Sequence, residues 1–586
     1  MLMTRKLKYD TPRLHMGGVD IVLSNDIKLL RIVIDGKTHI QHPRNIMWWQ
    51  GIVVCTYIAL VMSNEMWRII NIDQGPVKGY RATEGHFVFH GIPYATAPTG
   101  PNKFKPPLPP PTWDEPFAAV QRFVLCPQMI RNNNTNNVIF HYQEDCLITN
   151  IYVPDTAESN LPVVVDIHGG AFQFGHGQMR TPLNLLKTGK IIFVNFNYRL
   201  GPHGFLCLGT KDIPGNAGMK DQIALLRWVQ RNIASFGGNP NDVTISGCSA
   251  GGSAVDLIMI SKLAKGLFHK ISAGSGSSTA SFSVQVDPIA NAKMIAKKLN
   301  FIDTDDLGAL ENFYKNLPLE KLLSVDFLNE ANSATVFAPC IERNIGQEMF
   351  LDDYPSNILL HGEYPRVPLL IGITKMEGMY RLTNFESWKT MMNSNFSMFL
   401  PEDLIFETDN EKEFITEKIK RFYFGDEPVS EKNVLKYVDY FTDVMFAYGV
   451  AKAVKLHVEA GHKQVYLFEY AYADENDEYI MHTTKRGATH CAQRDALMDS
   501  SDEHQLSDAY KQMKTLMREL WLNFFTTGKP VPEVSSYPAW PPVGRNRTPY
   551  MFLDREMMLK SHFLQDRAFF WDEIYEKYYK SPKAPY

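Results

Sequence analysis

The chain of 586 residues carries 60 Lys and Arg against 64 Asp and Glu, a net charge of −4, and 45% of its positions are hydrophobic. Acidic and basic residues are interleaved, so no polyanion-binding face forms and nucleic acid is excluded as an expected partner. The length and even composition suit one large α/β domain with long insertions, and the chain shows no internal repeat or low-complexity tract.

Residues 1–46 are mildly basic and lack a hydrophobic period, and are read as an upstream extension without structure. An uncharged stretch runs from Asn45 to Asn64 with its centre at Gly51 to Met62, short for a membrane span. Val61-Met62-Ser63 resembles a small-residue cleavage site. Residues 47–63 are therefore expected to be a secretory signal starting at Met47, with an uncleaved anchor or a buried helix as the other readings. The domain proper is 64–586, expected to be secreted and to have no membrane contact unless the anchor stays. Cys55 leaves with the signal, and the six cysteines that remain of seven suit an oxidising compartment. The sequons at Asn133, Asn395 and Asn546 are candidate glycosylation sites consistent with export.

From about Pro162, β-rich runs alternate with helical patterns. Val163-Val164-Val165 and Ile191-Ile192-Phe193-Val194 read as strands, Leu225, Trp228, Val229 and Ile233 as an amphipathic helix, and Val243-Thr244-Ile245 as another strand. This alternation implies a mostly parallel sheet with helices on both faces, whose functional groups gather at the carboxyl ends of strands. After the first strand comes His168-Gly169-Gly170-Ala171-Phe172, where a glycine pair lets backbone N–H groups point into a cavity. Phe172 and Phe174 read equally as acyl-pocket wall or as core. After Ile245 comes Gly247-Cys248-Ser249-Ala250-Gly251, a G-x-S-x-G turn between a strand and small residues that open a helix. It reads as a nucleophile elbow with Ser249 lifted clear of the sheet, and it makes the amides of Gly169, Gly170 and Ala250 a candidate oxyanion hole.

A serine hydroxyl needs a histidine to take its proton and a buried carboxylate to orient that histidine. The chain order Ser, acid, His narrows both to the C-terminal side of Ser249. Pro368 to Ile373 reads as a buried strand with Glu377-Gly378 in its exit loop. Gln464 to Phe468 reads as another, and the polar loop after it carries Gly487-Ala488-Thr489-His490. Singly, Glu377 and His490 look like an ordinary loop acid and a surface histidine, but their joint placement makes them candidates for catalysis.

With these residues in view the chain resembles the type-B carboxylesterases, also called carboxyl/cholinesterases, and within them the secreted insect esterases. The similarity spans about Asn71 to Asp572. It includes Phe89-His90-Gly91-Ile92-Pro93-Tyr94-Ala95, Glu144-Asp145-Cys146-Leu147, Asn197-Tyr198-Arg199, Gly215-Asn216-Ala217-Gly218, Asp221-Gln222 and Phe236-Gly237-Gly238-Asn239-Pro240. The resemblance implies an α/β-hydrolase fold, a Ser249, Glu377, His490 triad, an oxyanion hole from Gly169, Gly170 and Ala250, and a disulfide between Cys126 and Cys146. It implies a small-molecule ester as the partner and needs no metal or organic cofactor. The expected activity is hydrolysis of neutral or hydrophobic carboxylic esters (odorant or pheromone, dietary or xenobiotic) through an acyl-enzyme on Ser249. A catalytically weak cholinesterase-like protein for binding, sequestration or adhesion is the alternative.

Three departures bear on substrate. Cys248 stands where the family usually has an acid, so cationic esters lose an attraction, and its place argues moderately against a juvenile-hormone specialisation, where glutamine is usual. Pro127 to Asp145 contains no tryptophan for a choline to stack on. Cys491-Ala492-Gln493 follows the histidine where a glycine and an acid are common. Because Ser249 and His490 must approach, Cys248 and Cys491 either pair as a disulfide or thiol couple, or stay separate buried side chains, as Cys207 and Cys340 are read to be.

Overall fold

The computed structural model describes residues 66–585 except 129–140, 326–329 and 500–502, together with three short strands nearer the N-terminus. The expected signal at 47–63, and Asn133, lie outside these described residues. The chain divides into two units, Met1–Met66 and Trp67–Tyr586. In the first, Arg13–Met16, Val19–Val22 and Arg31–Ile34 pair antiparallel in sequence order. Runs such as Val19-Asp20-Ile21-Val22 and Arg31-Ile32-Val33-Ile34 are rich in β-branched residues, which favour strands. The extension read as unstructured thus holds a small sheet of its own.

The second unit is built on a 13-stranded mixed sheet. Its first strands are β1 (Trp67–Ile72), β2 (Gly75–Arg81), β3 (His86–Pro93) and β4 (Ile148–Pro154). Then come β5 (Leu161–Ile167), β6 (Ile192–Phe196), β7 (Gly238–Cys248) and β8 (Lys270–Gly274). The last are β9 (Leu369–Thr374), β10 (Val465–Tyr470), β11 (Tyr550–Leu553) and β12 (Met557–Lys560). Across the sheet they lie in the order β12, β11, β10, β9, β8, β7, β5, β6, β4, β3, β2, β1, and Phe117–Ala118 pairs with β2 off this row. From β6 to β11 all neighbours run parallel, whereas both margins are antiparallel.

The parallel centre is buried on both faces, which is why its strands read as continuous apolar runs. Side chains alternate, so Val163 and Val165 enter one core with Leu225, Trp228 and Leu257, while Val164 enters the other with Leu370, Phe468, Trp521 and Phe524. The first core is covered by α1 (Ala217–Asn232) and α2 (Ala250–Ile260). A third, aromatic core holds Phe385, Trp388, Tyr440, Phe441 and Trp571. It is built largely in the insertion between β9 and β10, where α3 (Asp409–Phe424), α4 (Val434–Thr442) and α5 (Tyr448–Glu459) lie. Beyond β10 follow α6 (Ala492–Leu497), α7 (Asp508–Thr527) and α8 (Asp566–Tyr578), of which α7 brings Trp521 and Phe524 onto the second core.

The shared motifs map onto buried connections. Arg199, just past β6, grips Asp221 of α1 through two bonds of 2.8 and 2.7 Å, with both side chains fully buried. Its other nitrogen donates to the carbonyls of Lys103 and Lys105, so the pair is fully bonded, which is what makes a buried charge tolerable. Asn216 adopts φ 56°, donates to the carbonyl of Cys340 and accepts from its N–H. A Cβ on Gly215 would sit 2.6 Å from the sulfurs of both Cys207 and Cys340. Those two cysteines are bonded to each other, with Cα atoms 6.7 Å apart. This corrects the reading of them as separate side chains: 133 positions divide them, and only the folding of the intervening chain shows that they meet.

Candidate active site

The strand order reverses beside β5, with β6 on one flank and β7 on the other, and ligands of such sheets bind outside the carboxyl ends at that point. Register pairs Ile167 at the end of β5 with Gly247 near the end of β7, so the His168 loop and the Ser249 turn leave the sheet side by side. Ser249 has φ 63° and ψ −129°, a conformation that is rare for a residue with a side chain and that aims it out of the strand-to-helix turn. Its N–H donates to the carbonyl of Gly274 at 2.9 Å, and its carbonyl accepts from Ser253 N–H at 2.9 Å. A side chain at Gly251 would collide with the carbonyl of Ile167, and one at Gly247 with the backbone of Gly251. These two contacts are the physical content of the G-x-S-x-G pattern.

On the facing loop a Cβ at Gly169 would stand 2.5 Å from the Cys248 carbonyl and 3.0 Å from Ser249 Cβ, so glycine permits the close approach. Gly170, Ala171 and Phe172 follow with φ of 113°, 53° and 60°. That curl leaves the N–H groups of Gly169 and Gly170 without a protein acceptor among the described residues. Ala250 opens α2, where backbone donors lack intrahelical partners. His168 anchors the loop from beneath. Its Nδ1 donates to Gly169 O at 2.8 Å, Tyr198 stacks on it at 4.4 Å, and Tyr198 Oη donates to its carbonyl. Burial lowers the His168 imidazole to about 3, so the group beneath the loop is neutral at any ordinary pH.

Glu377 lies in the loop after β9 and is fully buried. Thr374 N–H donates to its Oε1 at 2.7 Å, and its Oε2 stands 2.5 Å from His490 Nδ1. The next residue is held too, since Gly378 N–H donates to Thr442 Oγ1 at the end of α4. His490 keeps 13% of its side chain accessible. Phe446 stacks on its ring at 4.2 Å and Tyr380 approaches it at 5.6 Å. Phe446 belongs to a π-helical turn, Asp443–Ala447, that joins α4 to α5, a form that recurs at functional sites.

Ser249 and His490 line one cavity of about 230 Å³ together with Gly169, Gly170, Phe174, Phe282, Met445 and Phe446. No hydrogen bond joins Ser249 Oγ to His490 Nε2 among the described residues, a contact that commonly tightens only when substrate is present. Phe174 is therefore in the cavity wall. Phe172 is not: it is fully buried 5.1 Å from Phe205 in the core. Sequence reasoning missed Phe282, Tyr380, Met445 and Phe446, which carry no local mark to separate a cavity wall from a core. The one carboxylate among the described lining residues, Asp495, is 2.8 Å from Arg180, and Arg494 reaches the buried Asp166 at 2.5 Å. Cys248 is bonded to Cys491, and Cys126 to Cys146. The sequon residues Asn395 and Asn546 are exposed.

This sheet, with a serine on a strained strand-to-helix turn and an acid-held histidine opposite it, defines the α/β-hydrolase class. The Carboxylesterase family matches residues 67–571. The chain belongs to that family, and it is a serine carboxylic-ester hydrolase. It is 32% identical over 482 residues to esterase FE4 of Myzus persicae, covering 78% of this chain and 83% of that protein. To the juvenile hormone esterase of Heliothis virescens it is 32% identical over 526 residues, covering 83% and 90%. The crystal structure of juvenile hormone esterase from Manduca sexta, with OTFP covalently attached, superposes with a TM-score of 0.76 at 28% identity, covering 87% of this chain and 100% of that one.

Proposed function

We propose that Ser249 is the nucleophile, His490 the base and Glu377 the orienting acid for hydrolysis of neutral or hydrophobic carboxylic esters. The observation that carries this reading is the buried Glu377 carboxylate on His490 Nδ1, in a ring that shares one cavity with Ser249. His490 takes the Ser249 proton as the hydroxyl attacks the ester carbonyl, and the oxyanion is met by the amides of Gly169, Gly170 and Ala250. The imidazolium then protonates the leaving alcohol, and the resulting acyl-enzyme is cleaved by water that His490 activates. The phenylalanine and methionine side of the wall, with Asp495 engaged by Arg180 and Arg494 by Asp166, suits uncharged acyl and alcohol groups. The pairing of all six cysteines after Cys55 supports action outside the cell, as do the exposed Asn395 and Asn546 as glycosylation sites.

The test is steady-state hydrolysis of p-nitrophenyl acetate, butyrate and hexanoate by the wild type and by Ser249→Ala. The variant should lose at least about 10⁴-fold in kcat, and the chain-length preference sizes the acyl pocket. Comparable turnover by the variant would remove Ser249 from the mechanism. Slow turnover by a folded wild type that binds esters tightly would favour sequestration over hydrolysis as its role.

A further inference from the structure

The residue before the candidate nucleophile is covalently joined to the residue after the candidate base. Cys248 closes β7 and Cys491 directly follows His490, at a sequence separation of 243 with Cα atoms 6.2 Å apart. Both line the cavity, Cys248 almost wholly buried and Cys491 half-buried. From Ala471 to Cys491 the chain crosses from β10 to α6 with no helix or strand, so His490 sits at the far end of a long irregular loop. Sites carried on loops are less well defined than sites on regular elements. The other holds on the ring are Glu377 at Nδ1, Phe446 on its face and Tyr380 at 5.6 Å, and the bridge sulfur of Cys491 itself lies 3.8 Å from Nε2. Cys491 also has φ 63° and ψ 15°, a left-handed conformation that costs energy for any residue but glycine and persists where the surroundings impose it. Gln493 completes the junction, donating to Cys248 Sγ and to Ser275 Oγ.

We propose that the Cys248–Cys491 bridge is a covalent clamp that positions His490 over Ser249, and that reducing it turns hydrolysis down. The proposal rests on the assignment of Ser249 and His490 as nucleophile and base. The reductant is a dithiol: its first thiolate attacks one bridge sulfur to give a mixed disulfide and releases the other sulfur as a thiolate. Its second thiolate then displaces the remaining protein sulfur. Two electrons pass to the protein, Cys248 and Cys491 gain one proton each, and the reductant leaves as a cyclic disulfide.

The wild type is treated with graded dithiothreitol and desalted under argon. One portion is alkylated and peptide-mapped for free Cys248 and Cys491, and the other is assayed with p-nitrophenyl butyrate for kcat, KM and the pH profile of kcat. Reduction of this bridge should lower kcat about 10- to 100-fold with KM changed less than about threefold, as expected for a misplaced base. The loss should reverse on reoxidation. The variants Cys248→Ala/Cys491→Ala and Cys248→Ala/Cys491→Gly should both match the reduced wild type and no longer respond to dithiothreitol. Full kcat in wild type mapped as reduced at both cysteines overturns the clamp, and so does recovery of full kcat by the glycine variant, which relieves the backbone without restoring the link. If either variant fails to fold, the reduced wild type decides. Ser249→Ala separates the two readings: turnover surviving in it removes the nucleophile assignment, whereas a dead Ser249→Ala beside a fully active bridge-free enzyme removes only the clamp.

Discussion

A thiol-derived sulfur at Cys248 in place of a carboxylate takes negative charge from the side of the nucleophile. Nothing else among the described lining residues restores it, since Asp495 is bound to Arg180 and the residue past Cys491 is the uncharged Ala492 followed by Gln493. Acetylcholine and its neutral isostere 3,3-dimethylbutyl acetate have nearly the same shape, so their comparison reads the charge effect. The neutral ester should be preferred by at least about tenfold in kcat/KM, because the ammonium gives up hydration worth ~1.4 kcal/mol or more with no carboxylate to replace it. Equal efficiency, or a preference for the cation, would refute an uncharged binding site. Ser249 and its glycines were legible because the pattern is local in sequence, although only Gly247 answers to the turn itself, and Gly251 answers to the carbonyl of Ile167 at the end of β5. Phe446 was not, because its stacking on His490 joins the β9–β10 insertion to the loop beyond β10.

The π-helical turn at Asp443–Ala447 carries a cost that pH can expose. Asp443 is wholly buried, accepts from Tyr423 Oη at 2.6 Å and lies 3.4 Å from Arg567. Burial pushes its carboxyl up to about 6, with Arg567 opposing. The fold therefore binds this proton more tightly than the unfolded chain does. The stability it contributes is fully present below the ordinary carboxyl value near 4 and is lost as pH rises through about 6. Asp443→Asn keeps an oxygen for Tyr423 and removes the ionisation. Its advantage over wild type in urea unfolding should grow from nothing near pH 4 to as much as about 3 kcal/mol at pH 7. Parallel stability profiles for the two proteins would contradict this account of the turn.

Three bridges close loops of different lengths, with separations of 20, 133 and 243 residues. If their main effect is to restrict the unfolded chain, the longer loop matters more, by about 5 kcal/mol for Cys207–Cys340 against about 3 for Cys126–Cys146. Cys207→Ala/Cys340→Ala should therefore shift the denaturant midpoint further than Cys126→Ala/Cys146→Ala. The reverse order would show that packing at Gly215 and Asn216 tolerates loss of the longer bridge and that chain restriction is not its main contribution.

Apolar runs, strand-to-helix order and the glycine-bounded serine marked the parallel centre, the elbow and the candidate acid and histidine, because each is a pattern within one short segment or a constraint on chain order. The antiparallel margins, the Cys207–Cys340 and Cys248–Cys491 pairings, the core position of Phe172 and the cavity wall of Phe282, Tyr380, Met445 and Phe446 depended on segments far apart in the chain. Cysteine spacing allows many pairings, and an aromatic residue has the same local signature whether it packs into a core or faces a cavity. Only the packing of the β9–β10 insertion against the carboxyl ends of the sheet decides between them.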